Sequence, residues 1–403
     1  MRVASDMQKE PLIGGETMVS FELSEQHQIL RQAVREFAES VIAPRAQELD
    51  EKEEFSVEIT KQMAELGLFG IFVPEEYGGS ELDYLAYIIA VEEIARVDGS
   101  HAATVAAGNS LGIGPLYNFG SDDQKKEWLP ALCTGDKMAS FGLTEADAGT
   151  DAGGTKTTAV FNEEKGTWTI NGSKIFITNS TNPLAAVVVV QAVTGKSPEG
   201  RKEYSCFLVP HGTPGFKPVT MHGKMMWRSS DTGELYFDDV EVPQANMLGK
   251  RGEGFKQMMK TLDSGRLAIA AMGLGGAQGA LDKALAYAQE RRQFGKPLSD
   301  FQAIQFKLAD MATEIEAARS MLYRACWLKD SGQSYSKLAA MSKLYCSEVM
   351  GRVVDEAVQI HGGYGLMKEY DVERFYRDQK LLTIGEGTSE VQRIVISRHL
   401  LKG

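Results

Sequence analysis

The sequence lacks most of the patterns that hold metals or nucleotide phosphates. Its six histidines are scattered and none sits in an HExxH pattern, so no metal site is indicated. Its four cysteines, Cys133, Cys206, Cys326 and Cys346, are far apart and form no CxxC pair. That argues against a zinc ribbon or dithiol motif and suits a reducing, cytoplasmic compartment. There is no P-loop and no GxGxxG spacing, so a nucleotide-phosphate loop and a Rossmann site are not indicated. Basic charge is in deficit, with 43 Lys and Arg against 55 Asp and Glu. Such a surface disfavours non-specific binding to nucleic acid or anionic membrane. The longest apolar run, Leu184–Val190, is far too short for a membrane span. Residues 1–20 mix Arg2 and Lys9 with Asp6, Glu10 and Glu16. They read as a flexible tail rather than a secretory signal or transit peptide, and Met18 offers a second start.

What is present is ordinary globular material: 403 residues, 43% hydrophobic and 24% charged, enough for two or three domains. The expected class is α+β multidomain. Residues 21–137 read as an N-terminal helical domain, with amphipathic stretches after Ser24, over Tyr84–Val97, His101–Phe119 and Asp122–Leu132. Residues 138–247 read as a mostly antiparallel β domain, with runs at Thr157–Phe161, Thr167–Thr178, Ala185–Gln191, Ser205–Val209 and Glu234–Phe237. Asn171-Gly172 within the second run predicts a hairpin turn. Residues 248–403 read as a four-helix bundle of three long helices and a shorter closing one.

Five stretches carry candidate chemistry. Phe141-Gly-Leu-Thr-Glu-Ala-Asp-Ala-Gly-Thr-Asp151 leaves a strand into small residues that bare backbone N–H groups for a phosphate or ring edge; an acidic turn is the plain alternative. In Lys174–Ser180, alternation places Phe176 and Thr178 on one face, where they could stack on and bond to a heteroaromatic ring; a core strand is the plain alternative. Arg291-Arg-Gln-Phe-Gly295 suits either a helix C-terminus or a pyrophosphate. Gln359-Ile-His-Gly-Gly-Tyr-Gly365 is a C-cap or a ligand shelf. Glu386 stands between Gly385 and Gly387 before Thr388-Ser389-Glu390. A carboxylate displayed there would serve as a base if its surroundings are dry; a capped helix start is the alternative.

Together these stretches resemble the acyl-CoA dehydrogenase family. Gly142–Asp151 is similar to its first signature, and Gln359–Gly365 through Glu386-Gly-Thr388 to its second. The resemblance runs from about residue 21 to 400. It implies a flavoprotein that binds FAD non-covalently and oxidises the Cα–Cβ bond of an acyl-CoA to the trans-2-enoyl-CoA. It also implies a homotetramer and electron-transferring flavoprotein as partner. By matching motif, Glu386 would take the α-proton. Phe141, Leu143, Thr144, Gly149, Thr150, Phe176, Thr178, Thr388 and Glu390 would contact the cofactor. Arg291, Phe294, Gln359 and Gly363 would reach the cofactor of a neighbouring subunit. Ser110, Asp263, Arg266, Gly385 and Gly387 would contact substrate.

Departures from the family pattern refine this. Some members carry the base on the long helix, where this chain has Gly265. Decarboxylating members place an arginine where this chain has Ala102, so a dicarboxyl substrate is not expected. Many members have Tyr where Gly385 stands; a wider pocket there suggests a short to medium acyl chain, branched at Cα or cyclic. An oxidase or monooxygenase on the same fold, or a non-catalytic flavoprotein scaffold, are the alternatives.

Overall fold

The computed structural model describes residues 22–401; the tail expected over 1–20 lies outside them. Helices come first: α1 Glu25–Phe37, α2 Ala43–Lys52, α3 Val57–Glu65, α4 Tyr84–Ala95, α5 Gly99–Ala107, α6 Gly114–Phe119 and α7 Asp122–Cys133. Their starts are capped as polar side chains dictate. Ser24, Asp83 and Asp98 accept from the backbone N–H three residues on, and Ser121 with Gln124 forms a reciprocal capping box. α4 is buried along most of its length, its ion-paired Glu92 and Glu93 included, so it is the central helix of this domain.

The β domain follows with β1 Met138–Gly142, β2 Thr158–Asn162, β3 Thr167–Thr178, β4 Ala185–Lys196, β5 Lys202–Pro210, β6 Phe216–Thr220, β7 Thr232–Pro243 and β8 Met247–Leu248. The sheet order is β6-β7-β3-β2-β4-β5-β8, with β1 beside β4. β1 pairs β4 in parallel, and most other pairs are antiparallel. The valine run of β4 explains the longest apolar stretch. Val187 and Val189 join the core shared with the helices, whereas Val188 and Val190 join a separate core inside the sheet domain. A strand buried on both faces needs no polar alternation.

The predicted hairpin at Asn171-Gly172 is not formed. β3 runs unbroken to Thr178, and its register to β7 shifts between Ile170 and Gly172. Gly172 supplies φ +145° for this bulge and lies against Thr157, where a Cβ would come within 2.7 Å of the Cα. Asn171 is held by Asp239 of β7 through two hydrogen bonds of 2.8 and 2.9 Å, so its turn-forming side chain is satisfied across the sheet. A second irregularity between Lys174 and Ile177 breaks the expected alternation, burying Lys174 and Ile177 and turning Phe176 outward.

The C-terminal part is built on α8 Gly254–Glu290, α9 Gln302–Asp330 and α10 Ser336–His361. A short hairpin, β9 Arg292–Gln293 with β10 Lys296–Pro297, joins α8 to α9. Two shorter helices follow rather than the single one expected, α11 Val372–Leu382 and α12 Ser389–Leu401. α8 packs on α10, α9, α4, α5 and α11, so it is the axis on which the helical parts meet.

Candidate active site

Between α11 and α12 the chain turns through Glu386 at φ +51° and Gly387 at φ +93°. A left-handed non-glycine residue costs roughly 1–2 kcal/mol and persists only where its surroundings hold it. Here α12 and α10 hold it. Gln392 Nε2 donates to the carbonyls of Gly387 at 2.9 Å and Glu386 at 3.3 Å, and Lys343 Nζ donates to the Gly387 carbonyl at 2.7 Å. Thr388 Oγ1 accepts from Val391 N at 3.2 Å, so the helix after Glu386 starts on a side-chain cap.

The turn lays the Glu386 carboxylate against α8. A Cβ built on Gly265 would sit 1.9 Å from Glu386 Oε2, so glycine at 265 is what leaves the carboxylate its place. Oε2 is buried and, among the described residues, accepts no hydrogen bond. Burial pushes this carboxyl up to about 7, against the opposing pull of the Lys343 and Arg266 charges. Arg266 is buried and ion-paired to Asp263, which also accepts from Ser336 Oγ at 3.1 Å. Among the described residues the N–H of Glu386 donates to no acceptor. An ionisable carboxylate, dry on one oxygen, stands beside a free N–H. That arrangement can remove a proton and bind the oxyanion that results.

One turn along α8, Thr261 and Ser264 line a cavity of about 260 Å³ with Tyr84, Ser110, Tyr117 and Lys329. Ser110 Oγ donates to the Ala106 carbonyl at 2.7 Å. Ala102 is fully buried. At Gly385 the nearest atoms to an added Cβ would be those of Leu381, at an ordinary contact distance of 3.5 Å or more, so a side chain could be added there without a clash.

The β domain contributes a wall. Phe141 and Leu143 are each 8% exposed, whereas the Phe176 ring is 63% exposed and is held out at φ +62°. The loop after β1 is stitched to the β3 irregularity by Ile175 N, which donates to the Thr144 carbonyl at 3.0 Å. Beneath, the wholly buried Lys174 donates to the Leu143 carbonyl at 3.1 Å and Glu145 at 2.8 Å. Glu145 in turn accepts from the N–H groups of Lys156 and Thr157. Thr144 and Thr178 are half-buried, and Gly149 and Thr150 are exposed at the loop tip, with nothing within 4 Å of a Cβ at Gly149. An outward apolar ring, flanking hydroxyls and bare backbone at a rigid loop fit a flat heteroaromatic cofactor with a phosphate arm.

The remaining predicted residues form a separate, exposed group. Arg291, Phe294, Gln359 and Gly363 all lie at the surface, with Phe294 94% exposed. Arg291 Cζ lies 5.4 Å from the centre of the Tyr364 ring. The helix from Gly265 to the end of α8 spans roughly 25 residues, or about 38 Å, so this group is not beside Glu386 of its own chain. Glu390 is exposed, its carboxyl held low by hydrogen bonds from its own N–H and from Thr388.

Family models for acyl-CoA dehydrogenase match in succession: the N-terminal domain over residues 24–136, the middle domain over 140–240 and the C-terminal domain over 252–401. The chain belongs to the acyl-CoA dehydrogenase family. It is 51% identical to the probable acyl-CoA dehydrogenase YngJ of Bacillus subtilis, over 95% of this chain and 100% of that one. Among solved structures it is similar to butyryl-CoA dehydrogenase from Megasphaera elsdenii (TM-score 0.92, 45% identity, covering 95% and 100%). It is equally similar to a chain in the structure of the electron-transferring flavoprotein of Acidaminococcus fermentans (TM-score 0.92, 46% identity, covering 96% and 100%). An acyl-CoA dehydrogenase complexed with FAD from Bacillus anthracis superposes with a TM-score of 0.89 at 36% identity, covering 94% and 68%.

Within this family site, the sequence reading missed the residues behind the front line. Lys343, Gln392 and the Lys174–Glu145 pair touch the loops rather than any ligand position. Lys174 and Glu145 lay inside the quoted stretches, but nothing in one dimension shows that they meet. Lys343 and Gln392 carry no local signal at all.

Proposed function

We propose that the protein oxidises a short acyl-CoA thioester to its trans-2-enoyl-CoA, with Glu386 as the α-proton base. The observation that carries this is the Glu386 carboxyl, lying across Gly265 with Oε2 buried and unpartnered. Its raised affinity for protons matches the task of removing a weakly acidic C–H near neutral pH. The free N–H of Glu386 receives the thioester oxygen as negative charge grows there. Arg266 and Lys343 keep the base ionisable in a dry setting. Asp263 orients Arg266 beside the entering thioester arm, and Ser110 with Gly385 and Gly387 borders the acyl chain.

FAD is the cofactor, and when bound it supplies the acceptor for the β-hydride. Phe141, Leu143, Thr144, Phe176 and Thr178 hold its ring, and Gly149, Thr150, Thr388 and Glu390 border the rest. Arg291 and Phe294 lie past the end of α8, about 38 Å from Gly265 along that helix, and Gln359 and Gly363 lie at the end of α10. They serve the cofactor of another copy in a homotetramer. Electrons pass to an electron-transferring flavoprotein, a reading supported by the similarity to the Acidaminococcus fermentans chain. Four free, buried cysteines support a reducing compartment such as the cytoplasm.

An anaerobic titration with straight, α-branched and cyclic acyl-CoAs, followed by flavin absorbance, tests the reading. Short chains bleach the wild type, and Glu386→Gln abolishes bleaching while still binding FAD. Bleaching that survives in Glu386→Gln rules out this base. The missing side chain at Gly385 extends the range to α-branched and cyclic chains. Gly385→Tyr then keeps straight-chain activity and lowers kcat/KM for branched substrates about 10-fold or more. Equal loss for both classes contradicts that assignment.

A further inference from the structure

Lys343 is a buried cation with no carboxylate partner within bonding distance among the described residues, and the proton-transfer chemistry above assigns it no hydrogen bond to substrate. It is 0% exposed, inside α10, and its Nζ donates at 2.7 Å to the Gly387 carbonyl. An unpaired buried charge is costly and persists where it does something. The Gly387 carbonyl follows directly on Glu386, at the second of two consecutive left-handed residues. The same carbonyl accepts from Gln392, itself 0% exposed, which also reaches the Glu386 carbonyl. Two side chains from two helices therefore fix the peptide planes on the C-terminal side of Glu386. The peptide N–H on its N-terminal side is left free, and the carboxylate is aimed across Gly265.

We propose that Lys343 is a positioning residue: seated on the Gly387 carbonyl, with Gln392 as its uncharged counterpart, it locks the Glu386–Gly387 turn so that carboxylate and N–H face the same reacting centre. This rests on Glu386 being the base. The charge has a second effect, because it faces the carboxylate through the turn. The groups around Glu386 are Lys343 on α10, Arg266 with Asp263 on α8, Tyr84 and Tyr87 on α4, and Glu390 on α12. Lys343 and Arg266 are the cations among them, and Arg266 is already committed to Asp263. Removing Lys343 therefore loosens the turn and makes Glu386 harder to ionise. Removing Gln392 loosens the turn alone.

The test uses the FAD-loaded enzyme with Lys343→Met, Lys343→Arg, Gln392→Leu and Glu386→Gln. The readouts are kcat and KM, the pH profile of kcat/KM, and washout of an α-deuterium of the acyl-CoA into solvent. In Lys343→Met, kcat and α-deuterium washout fall about 10²-fold, KM holds within about twofold, and the rising limb of the pH profile moves to higher pH. In Gln392→Leu, kcat and washout fall without movement of that limb, and Lys343→Arg restores the limb to its wild-type position. If Lys343→Met does not fold, Gln392→Leu decides the positioning role and Lys343→Arg the charge. Wild-type kcat and washout in Gln392→Leu together with an unmoved limb in a folded Lys343→Met overturn the proposal. Washout that persists in Glu386→Gln overturns instead the assignment of the base.

Discussion

At the scale of single residues, the contact between Gly265 and Glu386 makes an unusual separation of stability from activity. A methyl at 265 would meet only the tip of the Glu386 side chain, which can swing aside. Alanine also favours helix over glycine by about 1 kcal/mol. Gly265→Ala is expected to leave the denaturant midpoint unchanged or higher while kcat falls about 10²-fold; full activity in that variant would mean the carboxylate does not work across α8. As the proposed base, Glu386 is expected to set the pH profile. A base must be deprotonated, and burial has raised this one to about 7. Consequently kcat/KM rises with pH through about 7 and levels above it, and a profile flat from pH 5 to 8 would contradict the assignment. Much of this scale was legible in the sequence. The carboxylate between two glycines stood out as a candidate base beside the helix-cap reading, whereas the shared face expected for Phe176 and Thr178 gives way to the irregularity in β3. What stayed hidden was support across distance. Lys343 meets Gly387 over 44 positions and Lys174 meets Glu145 over 29, and no local pattern encodes such a meeting.

At the scale of elements, α8 is shaped by what it crosses. A Cβ on Gly275 would come 2.1 Å from the Glu92 carbonyl, and one on Gly279 2.0 Å from the Arg96 carbonyl, both backbone atoms at the end of α4. Backbone cannot rotate away as a side-chain tip can. Gly279→Ala should therefore destabilise by about 2 kcal/mol or more despite alanine's better helix propensity. Urea unfolding would show it, and a neutral result would mean the two helices can move apart freely. The helices themselves were readable, because their periodicity and caps are local. The bulge in β3 was not. Asn-Gly has the chemistry of a two-residue turn, and only the partners Thr157 and Asp239 turn it into a kink within one strand. β6 was missed for a related reason: Phe216–Thr220 is short, contains Pro218 and lies at the sheet edge.

At the scale of the whole molecule, α11 ties the three parts together through buried charge. Arg377 pairs with Asp50 of α2 at 2.8 Å, and Arg374 with Asp98 before α5 at 3.4 Å. Asp378 Oδ1 accepts from Trp227 N of the β domain at 2.8 Å, while its Oδ2 is buried without a partner. Burial first, then the nearby Asp98 charge, pushes the Asp378 carboxyl up to about 7. The unfolded chain releases that proton near 4, so between about 4 and 7 folding requires proton uptake there. This group's contribution therefore worsens as pH rises through that window. Asp378→Asn keeps the bond to Trp227 and removes the titration. Its melting temperature should exceed wild type at pH 8 and match it at pH 4, and the same difference at both values would show that Asp378 does not titrate in the folded state.

The hollow at Gly265 also bears on descent. Acids at 265 and 386 could not both point into this place, because the first atom of the incoming side chain falls within the volume of the resident carboxylate and would displace it. A lineage that moves its base from the loop to the long helix must pass through an ancestor with crowded acids or with none. The two arrangements thus exclude each other in space, and a chain carrying Gly265 leaves the place beside α8 to Glu386.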